Sequence, residues 1–144
     1  MNLVRYAQSL GIHVTAFSPL GHGASYWNPS VAVINENSVK TIAKKHGMFK
    51  FGLVLEISTK LISFFASLGV TEAQIVLRFG YQRGYSVIPK TSKTERLKEN
   101  ISLFNFHLAN EDMEELGILE RNLRFNDPGQ FCENAFNTFC PIFD

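Results

Sequence analysis

Between Tyr85 and Asn100 the chain reads YSVIPKTSKTERLKEN, a short apolar run followed by Lys90, Thr91, Ser92, Lys93, Arg96 and Lys98 and closed by Glu99 and Asn100. Cations and hydroxyls gathered just ahead of a helix start are suited to capturing an anion. Lys supplies a mobile point charge, and Arg a planar fork of donors that also stacks on rings. The free N–H groups and positive dipole end of the helix add to both. The competing reading is a solvated helix start with ordinary capping. A second candidate is VTAFSPLGHGAS, Val14 to Ser25. Here Pro19, Gly21 and Gly23 forbid regular structure directly after an apolar run that ends in an aromatic ring.

These groups need strands and helices to hold them. Leu3, Val4, Ala7 and Leu10 share one side of a first helix stopped by Gly11. IHVTAF and YSVIP read as short strands. NSVKTIAKKHG reads as a helix with Val39, Ile42 and Ala43 inward and Gly47 as its C-cap. VTEAQIVLRFGYQRG is a helix opened by the capping box Thr71-x-x-Gln74, with Ala73, Ile75, Val76, Leu77 and Phe79 as its apolar residues. Ser92-x-x-Glu95 reads as a second box opening ERLKENISLF, and NEDMEELGILE as a last, acidic-headed helix. Strands alternating with helices predict an α/β fold with parallel strands and ligands at their carboxyl ends. Two strands alone leave both faces and both edges of a sheet unsatisfied, so this architecture is incomplete by itself.

The chain has 144 residues, 45% of them hydrophobic, and a net charge of +1. That is the size of one domain with a real core. It has no global field for nucleic acid or a membrane surface, so any anion site is local. Cys132 and Cys140 lack metal-ligand spacing and read as reduced thiols. The N-terminus lacks the pattern of a signal peptide, and a cytoplasmic location is expected.

Met48 to Gly69, MFKFGLVLEISTKLISFFASLG, fits neither neighbour. Lys50, Glu56 and Lys60 interrupt it too often for a membrane span, which needs roughly 20 nearly uncharged residues. Removing it joins IAKKHG directly to VTEAQIVLRF. A Gly codon GGT ahead of ATG contains the donor-like GTATG, and Leu-Gly written TTAGGT contains the acceptor-like TTAG. Residues 48–69 are therefore read as a retained intron, with an amphipathic extra helix as the alternative.

With 48–69 set aside, VTAFSPLG, then TEAQIVLRF…VIPKT…ER…EN, and finally LRFNDP with CPIF resemble the C-terminal part of an aldo-keto reductase of the aldose, xylose and aldehyde reductase group. The resemblance runs from Leu3 to the end apart from the insertion, and rests on these motifs in order. It implies a (β/α)8 TIM barrel in which IHVTAF and YSVIP are the seventh and eighth strands. Residues 1–144 would then be a partial domain holding the last two βα units, a C-terminal helix and a loop. Loops after such strands commonly seat a phosphate. The resemblance implies NADPH/NADP, bound without a Rossmann fold or a G-x-G-x-x-G fingerprint.

By the resemblance, Lys90, Thr91 and Arg96 grip the 2′-phosphate of the adenosine ribose, and Ser92 adds its backbone. Glu99 and Asn100 hydrogen-bond the adenine edge. Phe17 stacks on the nicotinamide where relatives often have Tyr, while Ser18 and the Leu20 backbone meet the pyrophosphate. His22 and Ala24 depart from the Ser and Asp of several reductases, which loosens the loop over the pyrophosphate. Trp27 and Asn126 would line the substrate pocket, with Phe131, Phe136 and Phe139 either walling it or packing on the barrel.

The family reduces aldehydes and sugars with a Tyr acid assisted by Lys, Asp and His, which the resemblance places in the first half of the barrel. Tyr6, Tyr26, Tyr81 and Tyr85 fall in the wrong segments, and neither His13 nor His46 sits in a matching motif, so no residue is assigned a catalytic role. The 144 residues are expected to form the cofactor-binding portion of a reductase, to fold poorly alone and to lack activity. A complete form is expected to be a monomer. Two rivals are an inactive fragment that binds NADP or completes a barrel with a partner chain, and an anion or RNA module built on Lys90 to Lys98. The second lacks interleaved aromatics and net charge.

Overall fold

A computed structural model describes residues 2–21, 32–52, 69–120 and 137. Its first helix, α1 (Asn2–Ser9), ends where Gly11 takes φ +72°, a left-handed stop suited to glycine. Strand β1 (Thr15–Phe17) follows. A 3-10 turn at Val33–Asn35, inside what reads in sequence as irregular loop, leads into α2 (Asn37–Gly52). After the undescribed stretch come α3 (Glu72–Gln82), β2 (Ser86–Ile88), α4 (Thr94–Ile101), a 3-10 turn at Ser102–Asn105, and α5 (Asn110–Ile118).

The two strands pair in parallel, with Thr15 opposite Ser86, Ala16 opposite Val87 and Phe17 opposite Ile88. Because strand side chains alternate, Ala16 and Val87 share one face and Phe17 and Ile88 the other. The Val87 face lies against α3 so closely that a Cβ placed on Gly80 would come within 3.0 Å of Val87 Cγ1. A glycine there lets helix and strand approach. On the opposite face Phe17 is 71% exposed and Ile88 54%. The packed core lies among the helices instead: Val39, Ile42 and Ala43 of α2, Val70 just ahead of α3, Ile75 and Val76 of α3, Leu108, and Leu116 of α5.

The α3 capping box is present as expected. The Gln74 N–H donates to Thr71 Oγ1 (3.3 Å), and the Thr71 N–H to Gln74 Oε1 (3.0 Å). Gln82 fixes the connection into α5 by donating to the Leu108 carbonyl at 3.0 Å and accepting the Leu108 N–H at 2.8 Å.

Three expectations are corrected. Gly47 does not cap α2, which runs on to Gly52; Gly47 has no positive φ, and a glycine in helical backbone weakens a helix without stopping it. The Ser92 box does not form: the N-cap of α4 is Lys93, one residue further on, whose side chain has no acceptor to cap with, while the Thr91 hydroxyl takes the Lys93 N–H at 3.1 Å. On α1, Leu3 (79%) and Leu10 (58%) are exposed rather than inward. Among the described residues nothing covers that stripe. Both strands are also shorter than IHVTAF and YSVIP, consistent with each having a single neighbour.

Candidate functional site

Parallel pairing puts the segment after Phe17 and the segment after Ile88 at the same end of the strand pair. Ser18 there adopts φ +49°. Left-handed backbone costs a non-glycine residue roughly 1–2 kcal/mol, and such outliers concentrate where a ligand is held. The turn is closed by Gly21, itself at φ +74°, whose N–H donates to the Ser18 carbonyl at 2.9 Å. Leu20 is half-buried and touches the helical core. Phe17 stands open beside this turn, as a ring free to stack must.

Across from it, Lys90, Ser92, Lys93, Arg96 and Lys98 are exposed, and Thr91 is half-buried. Asp112 draws Lys45 and His46, away from this corner. Among the described residues no carboxylate pairs with Lys90, Lys93, Arg96 or Lys98. The N-terminus of α4 carries no side-chain cap, so its first N–H groups are left for solvent or a ligand. Cations beside an uncapped helix start are a donor set that could hold a phosphate group.

At the other end of α4, Glu99 and Asn100 are arranged differently. Glu99 Oε1 accepts from Thr71 Oγ1 at 2.5 Å, and the Glu99 carbonyl accepts from Gln74 Nε2 at 2.9 Å. Asn100 is 8% exposed. Its amide bonds to no described residue, and no buried polar side-chain atom lacks a partner, so the amide keeps contact with solvent. Trp27 and Asn126, with His22, Ala24, Phe131, Cys132, Phe136, Phe139 and Cys140, lie outside the described residues.

A separate concavity of about 390 Å³ is lined by Lys45, His46, Phe106, His107 and Asp112 among others. Its polar centre is already satisfied. Asp112 accepts from Lys45 Nζ (2.8 Å), His46 Nε2 (2.8 Å) and the Ala109 N–H (3.2 Å). Burial alone would push this carboxyl up. The bonds from Lys45, His46 and Ala109 outweigh it and leave the group below the usual carboxylate range. The arrangement is a clasp between α2 and α5, formed by residues 66 and 67 positions apart that share no local motif. His13 Nε2 and Ser86 Oγ lie 2.7 Å apart on the exposed opposite end of the strands, with no third group orienting the ring among the described residues. No group of three His, Cys, Asp or Glu among them could hold a metal, and no helix there is long and apolar enough to cross a membrane.

Parallel strands with a helix packed on one face mark an α/β protein. The profile of the aldo/keto reductase family matches residues 1–121. The chain belongs to that family. It is 35% identical over 141 residues, or 98% of its length, to the NAD(P)H-dependent D-xylose reductase xyl1 of Aspergillus niger. It is 32% identical over 99% of its length to aldose reductase B of Dictyostelium discoideum. It covers 38% and 35% of those two proteins, so it spans little more than a third of the relatives it matches. The crystal structure of apo Gox0644 superposes with a TM-score of 0.60 at 26% identity, covering 83% of this chain and 33% of that one.

Proposed function

We propose that this chain is the cofactor-gripping portion of an NADPH-dependent reductase of aldehydes and aldoses, with β1 and β2 as the last two strands of a (β/α)8 barrel. The observation that carries the proposal is the set of cations around Lys90 and Arg96, at the carboxyl ends of parallel strands and without a carboxylate partner among the described residues. The names of the relatives, an NAD(P)H-dependent D-xylose reductase and an aldose reductase, support a small carbonyl or sugar substrate. Bound nicotinamide would supply hydride to the carbonyl carbon. In this chain Lys90, Thr91 and Arg96 bind the 2′-phosphate, the Ser18–Leu20 turn orients the pyrophosphate, Phe17 covers one ring face, and Glu99 and Asn100 meet the adenine. The proposal includes a cytoplasmic location and a monomer when the barrel is complete.

Titration of the 144-residue chain with 2′,5′-ADP and with 5′-AMP tests it. The first is expected to bind at least about tenfold tighter, the worth of one charge-assisted bond; equal affinities would overturn the reading. A second reading, that the chain binds cofactor or completes a barrel with a partner without turnover of its own, is favoured by the bare Phe17–Ile88 face and the open strand edges. Purified chain is expected to leave NADPH unoxidised when mixed with a short aldehyde.

Residues 48–69 are proposed to be a retained intron interrupting this unit. A Cβ on Gly47 would lie 3.8 Å from Gly69 Cα and 3.9 Å from the Val70 nitrogen, so the chain leaves and returns at one place. The core residues on either side, Ile42 and Ile75, are buried together. A deletion joining Gly47 to Val70 is expected to retain a cooperative thermal transition and 2′,5′-ADP binding within about twofold. Loss of folding would contradict the proposal, as would mature transcripts that all keep the segment.

A further inference from the structure

The α3 capping box does more than start a helix. Capping needs only the acceptor atoms of Thr71 and Gln74, and both are used: Thr71 Oγ1 takes the Gln74 N–H, and Gln74 Oε1 takes the Thr71 N–H. Their donor atoms are surplus to that task, and both point at one residue 25 and 28 positions away. Thr71 Oγ1 donates to the Glu99 carboxylate and Gln74 Nε2 to the Glu99 carbonyl, so the last turn of α4 is held at side chain and backbone together. Gln74 is 8% exposed, which fixes the geometry.

We propose that Thr71 and Gln74 are positioning residues for purine recognition. By occupying Glu99 Oε1, Thr71 aims the second carboxylate oxygen at an exocyclic amine, beside the solvent-reaching amide of Asn100. A carboxylate only accepts, so the site selects a purine that presents an amine over one that presents a carbonyl. This rests on the cofactor reading above.

The test compares the affinities of the full chain for NADP and for its hypoxanthine analogue, which replaces the amine by a carbonyl. The wild-type chain is expected to prefer NADP by about tenfold. Thr71→Asp keeps an N-cap acceptor but cannot donate and repels Glu99, so the preference should fall to within about twofold of unity. Thr71→Ser should retain it. Gln74→Glu keeps the reciprocal cap bond but loses the donor to the Glu99 carbonyl, and should also lose discrimination; it decides the matter if Thr71→Asp does not fold. A purely structural cap would change melting temperature in these variants without changing the ratio. Discrimination that survives in folded Thr71→Asp and Gln74→Glu overturns the positioning role and leaves the cofactor reading intact. NADP binding without discrimination in wild type overturns the purine contact and leaves the phosphate contact intact. No binding of NADP at all removes the cofactor reading and this inference with it.

Discussion

Reversing the charge at Lys90 and Arg96 together, Lys90→Glu with Arg96→Glu, is expected to weaken NADP binding by about a hundredfold or more while leaving NAD within about threefold. Two charge-assisted hydrogen bonds are worth roughly 1.5–3 kcal/mol each, which sums to a factor of about 10² to 10⁴. The lower end applies here, because both side chains are exposed and salt screens them. NAD lacks the extra phosphate, so it samples only what the substitutions do to the fold. Both residues lie outside the helical core, and α4 is tied to α3 through Glu99 rather than through them. The measurement is a fluorescence titration of both cofactors against each protein. Equal losses for NADP and NAD would mean that the two cations support the turn and do not read the phosphate.

The second large effect concerns stability. Asp112→Asn is expected to destabilise the helical core by about 2–3 kcal/mol, a drop in melting temperature on the order of 10 °C. The carboxylate is nearly fully buried and joins α2 to α5 through Lys45 and His46. The cost stays below that of a fully buried pair because Lys45 keeps 58% of its side-chain surface in water after its partner is gone. The same group sets an acid limit. Its pKa in the folded chain is held below the unfolded value of about 3.9. Its contribution is therefore in full force above about pH 4 and is lost as pH falls through the folded value. Melting temperature followed from pH 7 to pH 3 should fall more steeply in wild type than in Asp112→Asn, and parallel curves would contradict this account of the clasp.

Features written into short stretches of sequence were the ones legible in advance. The Thr71-x-x-Gln74 box opens α3 because both halves of the signal lie within one helical turn. The β-branched runs mark two strands, and their alternation with helices gives parallel pairing. The cationic corner is legible because a strand end, a turn and a helix start are consecutive in the chain. Gly47 misled because glycine punctuates a helix only where the backbone turns left-handed, a property of the surroundings rather than of the residue. Ser92 misled because the helix starts one residue later than its pattern suggests, with Lys93 as the N-cap. The strain at Ser18, the Thr71–Glu99 bond and the Asp112 clasp had no local signature. The last two join residues 28 and 66 or more positions apart, so only the packing of one helix on another creates them. Leu3 and Leu10 of α1, like Phe17 and Ile88 on the strands, are apolar residues that nothing among the described residues covers.

The most direct test is a map of backbone amide resonances in the 144-residue chain on addition of NADP. The largest shifts are expected at Ser18, at Lys90 to Arg96 and at Asn100, with Lys45, His46 and Asp112 undisturbed. Shifts centred on the Lys45–Asp112 cavity, or none at Lys90 to Arg96 under saturating NADP, would contradict the assignment of the strand-end corner as the cofactor site.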